Sequence, residues 1–368
     1  MELESAIPEW LRKDRTVPSK MPPGFKPPFE LYTSRFAESI KDMTMAIIGA
    51  QYASADLNDG VGLQTISSFI SSNLVDTTSR PAFHEVAAVA DNRGFYNVAL
   101  FAYWPSKTAY KVWSTDSGFD AWWSKLEPAG EGKTGHGWFL EVFLPTADRF
   151  ETVFSTAVPE GAAHMRESLS GPIKEHVYWG SMRDRLPVSQ TDDLLGDKDD
   201  QTHDNGPVRS DIEFSQRVRV PGKENLTVIR SGQDWSAALA EERQIYLDSM
   251  QPPLIKGMEY LRDHGEEVGC FSCRFMEIVD SDTGKAEAGG GTERTFGLAY
   301  FDNLASLERW SREHKTHLAI FGEFAKYAKR LGDQMSLRLF HEVLVLKAEQ
   351  QFFEYIGCHR GTGMLKSL

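Results

Sequence analysis

The sequence predicts an α+β fold: two ferredoxin-like halves in tandem, their sheets making a barrel-like core with helices on one face. Three observations predict it. "AYWPSKTAYKVWS" (102–114) can be laid without a gap on "AYFDNLASLERWS" (299–311), each a strand ending in Ala-Tyr-aromatic that leads into a polar helix start. "EVFLPTADRFETVF" (141–154) resembles "EVLVLKAEQQFFEYI" (342–356), and "IIGAQYASA" (47–55) is a looser partner of "IRSGQDWSAA" (229–238). The bulk numbers agree, since 368 residues with 41% hydrophobic and 25% charged side chains can bury a sizeable core.

The elements follow in order. Residues 1–35 include "PSKMPPGFKPPFELY", too proline-rich for a helix or central strand, and read as an extended arm on the body. Residues 36–190 make the N-terminal half and 221–368 the C-terminal half. Between them, 191–220 hold the acidic run "TDDLLGDKDDQTHDN" (191–205) and a linker. "SDTGKAEAGGGTE" (281–293) is a second loop, and both runs read as solvated insertions.

Composition excludes several classes. A net charge of −13 supplies no basic face for phosphates, which argues against nucleic acid. No apolar run is long enough to span a bilayer, and the first residues lack the apolar core of a signal peptide, so a cytoplasmic protein is expected. Three cysteines make no disulfide framework, and "CFSC" (Cys270 and Cys273) has no second pair to complete a metal site.

The repeat also exposes differences between its halves. "SREHKTHLAIF" (311–321) holds His314 and His317, and His317 falls opposite Asp120 of the other half. His317, Ile320, Phe321, Phe324, Ala328 and Leu331 form one helical stripe, so His317 points inward, while His314 lies in the polar run before the helix. On the next strand Leu337, Leu339, His341, Val343 and Val345 alternate onto one face, Ser336, Arg338, Phe340 and Glu342 onto the other, and His341 falls opposite Leu140. Two inward histidines suit a metal or a haem, or are core residues satisfied by backbone carbonyls. Zinc would want a third ligand, which neither face offers. Haem asks for one imidazole, apolar walls and a polar group above the iron.

These segments, with "FEYIGCHRGTGML" (353–365), "IRSGQDW" (229–235), "YWGSMRDRLP" (178–187), "VSQTD" (188–192) and "ESAIPEWLR" (4–12), resemble the haem-containing aldoxime dehydratases along almost the whole chain. The resemblance implies a homodimer, a haem b active as Fe2+ in the C-terminal half, and dehydration of a small-molecule aldoxime to a nitrile. It assigns His317 as the iron ligand, His341 as the distal acid, and Ser231, Arg185 and Glu151 as pocket residues. From the residues alone, Ser231 could cap a helix near Asp234, its repeat partner being Gly49, and Arg185 could be a surface ion pair. A haem peroxidase or chlorite-decomposing enzyme of related fold, and a haem sensor, are the competing readings.

Overall fold

The computed structural model describes residues 3–73, 75–128, 135–196, 216–285 and 293–368. The proline-rich start ends in a two-stranded ribbon of β1 (Ser34–Arg35) and β7 (Ser168–Leu169). Among the described residues eleven further strands join one antiparallel sheet. Four of them, β2 (Thr44–Tyr52), β3 (Phe83–Ala90), β4 (Tyr96–Trp104) and β5 (Gly137–Phe143), pair in the order β5-β2-β4-β3. Four more, β9 (Leu226–Asp234), β10 (Cys270–Ile278), β11 (Arg294–Phe301) and β12 (Arg338–Leu346), pair in the order β12-β9-β11-β10. A short contact of β3 with β10 joins the two sets.

The remaining strands cross over. β6 (Phe150–Phe154) follows β5 in sequence but pairs with β12, whereas β13 (Gln351–Ile356) follows β12 and pairs with β5, flanked by β8 (Arg217–Val220). The sheet curls so that Ile47, Phe101 and Phe139 from one set meet Phe296, Leu298 and Phe340 from the other in one core. This is why β2 is buried at all nine residues: one face lines the curled interior and the other lies under helices.

Two helical layers cover the outside. α1 (Val61–Ile70), α2 (Lys107–Asp116) and α3 (Phe119–Ser124) pack on the first set through aromatic rings. The second set carries α5 (Ala240–Ile245), α6 (Gln251–His264), α7 (Leu304–Glu313) and α8 (Lys315–Leu331), with the one-turn α4 (Ser181–Arg185) beside them. Among the described residues no helix is long and apolar enough to cross a membrane.

Several expectations change. In β12 the alternation is as expected, but Phe340 and Glu342 line the curled interior, so both faces are covered. Gly49 is not the counterpart of Ser231. A Cβ on Gly49 would strike Phe139 and one on Gly232 would strike Phe340, so Gly49 matches Gly232 and Ile48 matches Ser231. The acidic run is not wholly solvated, because Leu194 is buried and Asp192 pairs with Arg149 at 3.4 Å; its residues 197–205 lie outside the described residues. Of the second loop, 281–285 form a turn whose Gly284 carbonyl accepts from Tyr96 (2.8 Å), and 286–292 lie outside the described residues. A bulge between Cys270 and Ser272 puts both cysteines in one apolar cluster, where burial pushes the Cys273 thiol up to about 12, so neither is primed for redox chemistry.

Glu242 ties α8 to the start of β12. It accepts from Tyr327 Oη (2.8 Å), Ser336 N (2.9 Å), Ser336 Oγ (2.5 Å) and Leu337 N (3.0 Å). Burial alone would raise its carboxyl, yet the donors of Ser336, Tyr327 and Leu337 hold it below the usual carboxylate value. Glu242→Ala should therefore cost about 3 kcal/mol of stability at neutral pH, because four donors lose their acceptor. A group depressed in the folded state contributes stability above its unfolded pKa and loses it as pH falls through the folded value. Urea unfolding of the variant and the parent should accordingly converge on acidification.

Candidate active site

The site is built on the outer face of β12, β9 and β6. Across the β12–β9 ladder His341 stands directly opposite Ser231, and across β12–β6 it stands opposite Val153. Glu151 lies two residues from Val153 on the same face, opposite Val343. This face is a seam between two apolar clusters, with Leu339 in one and Ile229 and Val343 in the other. Among the described residues neither the His341 ring nor the Ser231 hydroxyl bonds to another side chain or backbone group, and both keep some open surface. Ser231 is mid-strand, so it caps no helix.

Arg185 is not on the surface. It ends α4, is buried, and holds Glu151 bidentately, Nε donating to Oε2 at 2.6 Å and Nη2 to Oε1 at 2.8 Å. Its Nη1 donates to the Glu175 carbonyl at 3.0 Å. Burial pushes the Glu151 carboxyl up, and the Arg185 charge opposes that push. A fork of this kind fixes the guanidinium plane and keeps both charges paired inside the protein.

The two histidines of "SREHKTHLAIF" do different work. His314 breaks the chain direction between α7 and α8 and is the N-cap of α8, its Nδ1 taking the Thr316 amide (3.4 Å) and meeting the Thr316 hydroxyl (2.8 Å). It also stacks on Tyr260 at 4.0 Å, so it is half-buried rather than solvated. His317 sits in the first turn of α8, where the helix dipole disfavours a cation. Its ring lies edge-on to Trp310 (4.8 Å) and Trp179 (6.3 Å), and its Nδ1 is buried with no hydrogen bond. Burial pushes it down to about 4, partly opposed by the Ser311 backbone, so it is neutral at ordinary pH.

The stripe of α8 is less covered than its periodicity suggests. Only Thr316 and Tyr327 are fully buried, and Phe321 is 43% exposed beside Trp179, also 43% exposed, at 5.9 Å. Those rings, with His317, form an apolar wall at the head of the stripe, while Phe324 and Leu331 further along pack against the cluster around Trp235 and Tyr246.

The His341 ring departs from a neutral pKa. Burial, then the Arg185 charge, then His317 push His341 down to about 3, so it rests neutral. Both Arg185 and His317 are therefore near enough to act on it electrostatically. The structure thus brings Ser231, His341, Glu151 and Arg185 together, with His317 across from them on α8. Glu151 and Arg185 come from the N-terminal half of the sequence, delivered by β6 and α4, so the pocket is not made by one half. Residues that sequence reasoning passed over are Trp179 and Trp310, the walls around His317; Trp179 stands in the same "YWGSMRDRLP" run that supplied Arg185. A separate cavity of about 530 Å³, lined by Glu85, Glu160, His164, Arg294 and Arg338 among others, touches none of the five.

A neutral imidazole in an aromatic, apolar surround, facing a second histidine with a hydroxyl and a buried carboxylate–guanidinium pair, has the donor set of a haem enzyme and not of a zinc site. Among the described residues no group of three His, Cys, Asp or Glu side chains could hold a bare metal ion. Residues 46–364 match the haem-containing dehydratases, and the chain belongs to that family. It is 37% identical over 366 residues to the aliphatic aldoxime dehydratase of Rhodococcus erythropolis, covering 99% of this chain and 98% of that one. It is 30% identical over 350 residues to the phenylacetaldoxime dehydratase of Bacillus sp. (strain OxB-1), covering 94% and 93%. The crystal structure of an aldoxime dehydratase with butyraldoxime superposes with a TM-score of 0.84 at 35% identity, covering 99% of this chain and 96% of that chain.

If His317 holds the iron, His317→Ala should purify without the Soret absorbance of bound haem while keeping its far-UV circular dichroism. Added imidazole should restore the band, because the apolar wall stays intact.

Proposed function

We propose that this protein is a lyase that dehydrates aldoximes, R-CH=N-OH, to nitriles, using a haem b held by His317. The observation that carries the reading is the pairing of Ser231 with His341 on one strand face, beside the buried Glu151–Arg185 pair. His317 would hold the haem, which in its ferrous form would supply an electron-rich Lewis-acid centre for an oxime and so weaken the N–O bond.

The protein's part is proton handling. Hydroxide leaves poorly, so the oxime oxygen must gain a proton as N–O cleaves, and the carbon must lose one. His341 is the group that does both. Its conjugate acid, with a pKa of about 3, is a strong donor to the departing oxygen. The neutral ring left behind then takes the proton from carbon, which restores the acid, so each turnover returns the proton it used. Ser231 donates to the same oxygen. Arg185 holds Glu151 in the buried fork, and the pair orients His341 from the same strand face.

The same reading covers the architecture. Residues 36–190 and 221–368 are taken as two ferredoxin-like halves after an arm of 1–35, with 191–220 as the linker. Support comes from the neighbour orders β5-β2-β4-β3 and β12-β9-β11-β10, which are one order applied twice. Assembly as a homodimer and a cytoplasmic location belong to this reading as well.

The test is anaerobic. Dithionite-reduced, haem-loaded protein should convert phenylacetaldoxime or butyraldoxime to the nitrile without added oxidant, and the ferric form should not. Haem uptake with no nitrile from either, together with turnover of peroxide, would overturn the reading. His341→Ala should keep its haem and lose about 10²–10⁴ in kcat, the range for general acid–base help. Because the active form carries a proton on a depressed histidine, activity should fall as pH rises. Arg185→Gln removes the cation that depresses His341, so its pKa rises and that limb moves to higher pH even as kcat drops. A pH–rate profile of the two enzymes checks the sign.

A further inference from the structure

We propose that the N-terminal arm is a working part of this site, and that Glu175 and Asp184 are positioning residues through which it aims Arg185. The inference rests on the dehydratase reading above and extends it to a segment with no assigned part in catalysis.

Arg185 stands on weak local structure. α4 is a single turn of five residues, too short to hold itself. The chain leading into it is strained, since Val177, a β-branched residue, sits at φ 58° in the left-handed region. Such a segment keeps its place only when its surroundings over-determine it. The surroundings here are the arm.

Two carboxylates carry the link, one on either side of the strained turn. Glu175, 6% exposed, accepts from the Ala6 amide at 2.7 Å and the Ser5 hydroxyl at 3.1 Å, and its own carbonyl takes Arg185 Nη1. Asp184, 1% exposed and the neighbour of Arg185 in sequence, accepts from Ser19 Oγ (2.7 Å), the Lys20 amide (2.9 Å) and Tyr178 Oη (2.8 Å), with Arg15 at 3.7 Å. Gln190 extends the contact: its carbonyl takes the Thr16 and Val17 amides, and its side chain pairs with Lys13 N and the Leu11 carbonyl. Residues 5–20 thus strap segment 175–190 from end to end.

The arm also roofs the ion pair. A cavity of about 40 Å³ lies between Ala6, Pro8 and Trp10 of the arm and the Glu151–Arg185 pair, with Thr152 and Ser34 beside it. It is large enough for a water or two, so the arm separates the pair from bulk solvent rather than exposing it. Arg185 has three of its N–H directions committed to Glu151 and Glu175, so any shift of the strap rotates the guanidinium and the carboxylate together. Misplacement of a catalytic group by about 1 Å can cost about a hundredfold in rate.

The experiment uses the full-length, haem-loaded enzyme. Asp184→Asn and Glu175→Gln should keep their haem, with KM within about twofold, and lose about tenfold or more in kcat. Ser19→Ala, which removes one arm donor to Asp184, should fall the same way by less and is the variant to use if the carboxylate changes unfold the chain. All three are then repeated in an Arg185→Gln background, where the proposal expects no further loss, because the group they aim is gone. Equal losses in both backgrounds, or unchanged kcat in all three variants, would overturn the positioning role while leaving the dehydratase reading intact. An unmodified enzyme that makes no nitrile would instead sink that underlying reading.

Discussion

The reciprocal crossing of two strands is the constraint from which the site follows. β6 leaves β5 and adds itself to β12, while β13 leaves β12 and adds itself to β5. Each crossing satisfies backbone donors and acceptors that a free edge would present to solvent or to another chain. Because side chains alternate along a strand, the register that pairs Val343 with Glu151 puts the carboxylate on the face of His341. A slip of one residue would turn Glu151 into the curled interior and bring Thr152 out. The face that carries His341 and Glu151 and the closure of the sheet are thus set by the same ladder of hydrogen bonds.

The interior of the curl is held by charge as well as by rings. Glu342 accepts from Tyr103 Oη (2.9 Å), Arg230 (3.2 Å) and the Ala162 amide (2.6 Å), and Arg230 also pairs with Glu85. On the other side Glu141 meets Arg274, Tyr300 and Tyr355. Glu141 and Glu342 occupy matching places in the repeat, and each reaches a tyrosine of the opposite strand set. Buried pairs of this kind add little net stability against an apolar replacement, but removal of one partner leaves a charge stranded. They therefore punish misregistration of the two sets more than they strengthen the correct one.

Much of this was legible in the sequence, and the limits have physical reasons. The internal match located both histidines and placed them in one half only, because a period of two and a stripe of 3.6 survive in any homologous strand or helix. It misassigned Ser231 by one residue, since "IIGAQ" and "IRSGQ" align equally well at either glycine; only the ring that each missing Cβ makes room for, Phe139 or Phe340, fixes the register. From the residues alone Arg185 could equally be a surface ion pair with Asp184, whereas Asp184 turns to the arm and Arg185 to Glu151. Pairings over such separations depend on the path of the chain, which no local pattern records. The family resemblance supplied those residues, and the fold supplied the reason they meet.

The corrected register also says why one strand set carries a site and the other does not. Where β9 and β12 juxtapose Ser231 and His341, β2 and β5 juxtapose Ile48 and Leu140. Outside Ile48 and Leu140 the space is filled by rings: Trp113, Phe119, Trp122, Trp123 and Trp138 pack edge-to-face and tilted within α2, α3 and β5. Outside Ser231 and His341, α8 stands in place of the short α3 and carries His317 and the exposed Phe321, with the exposed Trp179 beside them. The same scaffold therefore carries a cluster of its own rings over one strand pair, and over the other it carries His317 and Phe321 on α8. Apolar volume between helix layer and sheet must be occupied by something, since interiors pack densely. In the first strand set the chain's own rings supply that volume; under the proposed reading, a haem held by His317 would supply part of it in the second.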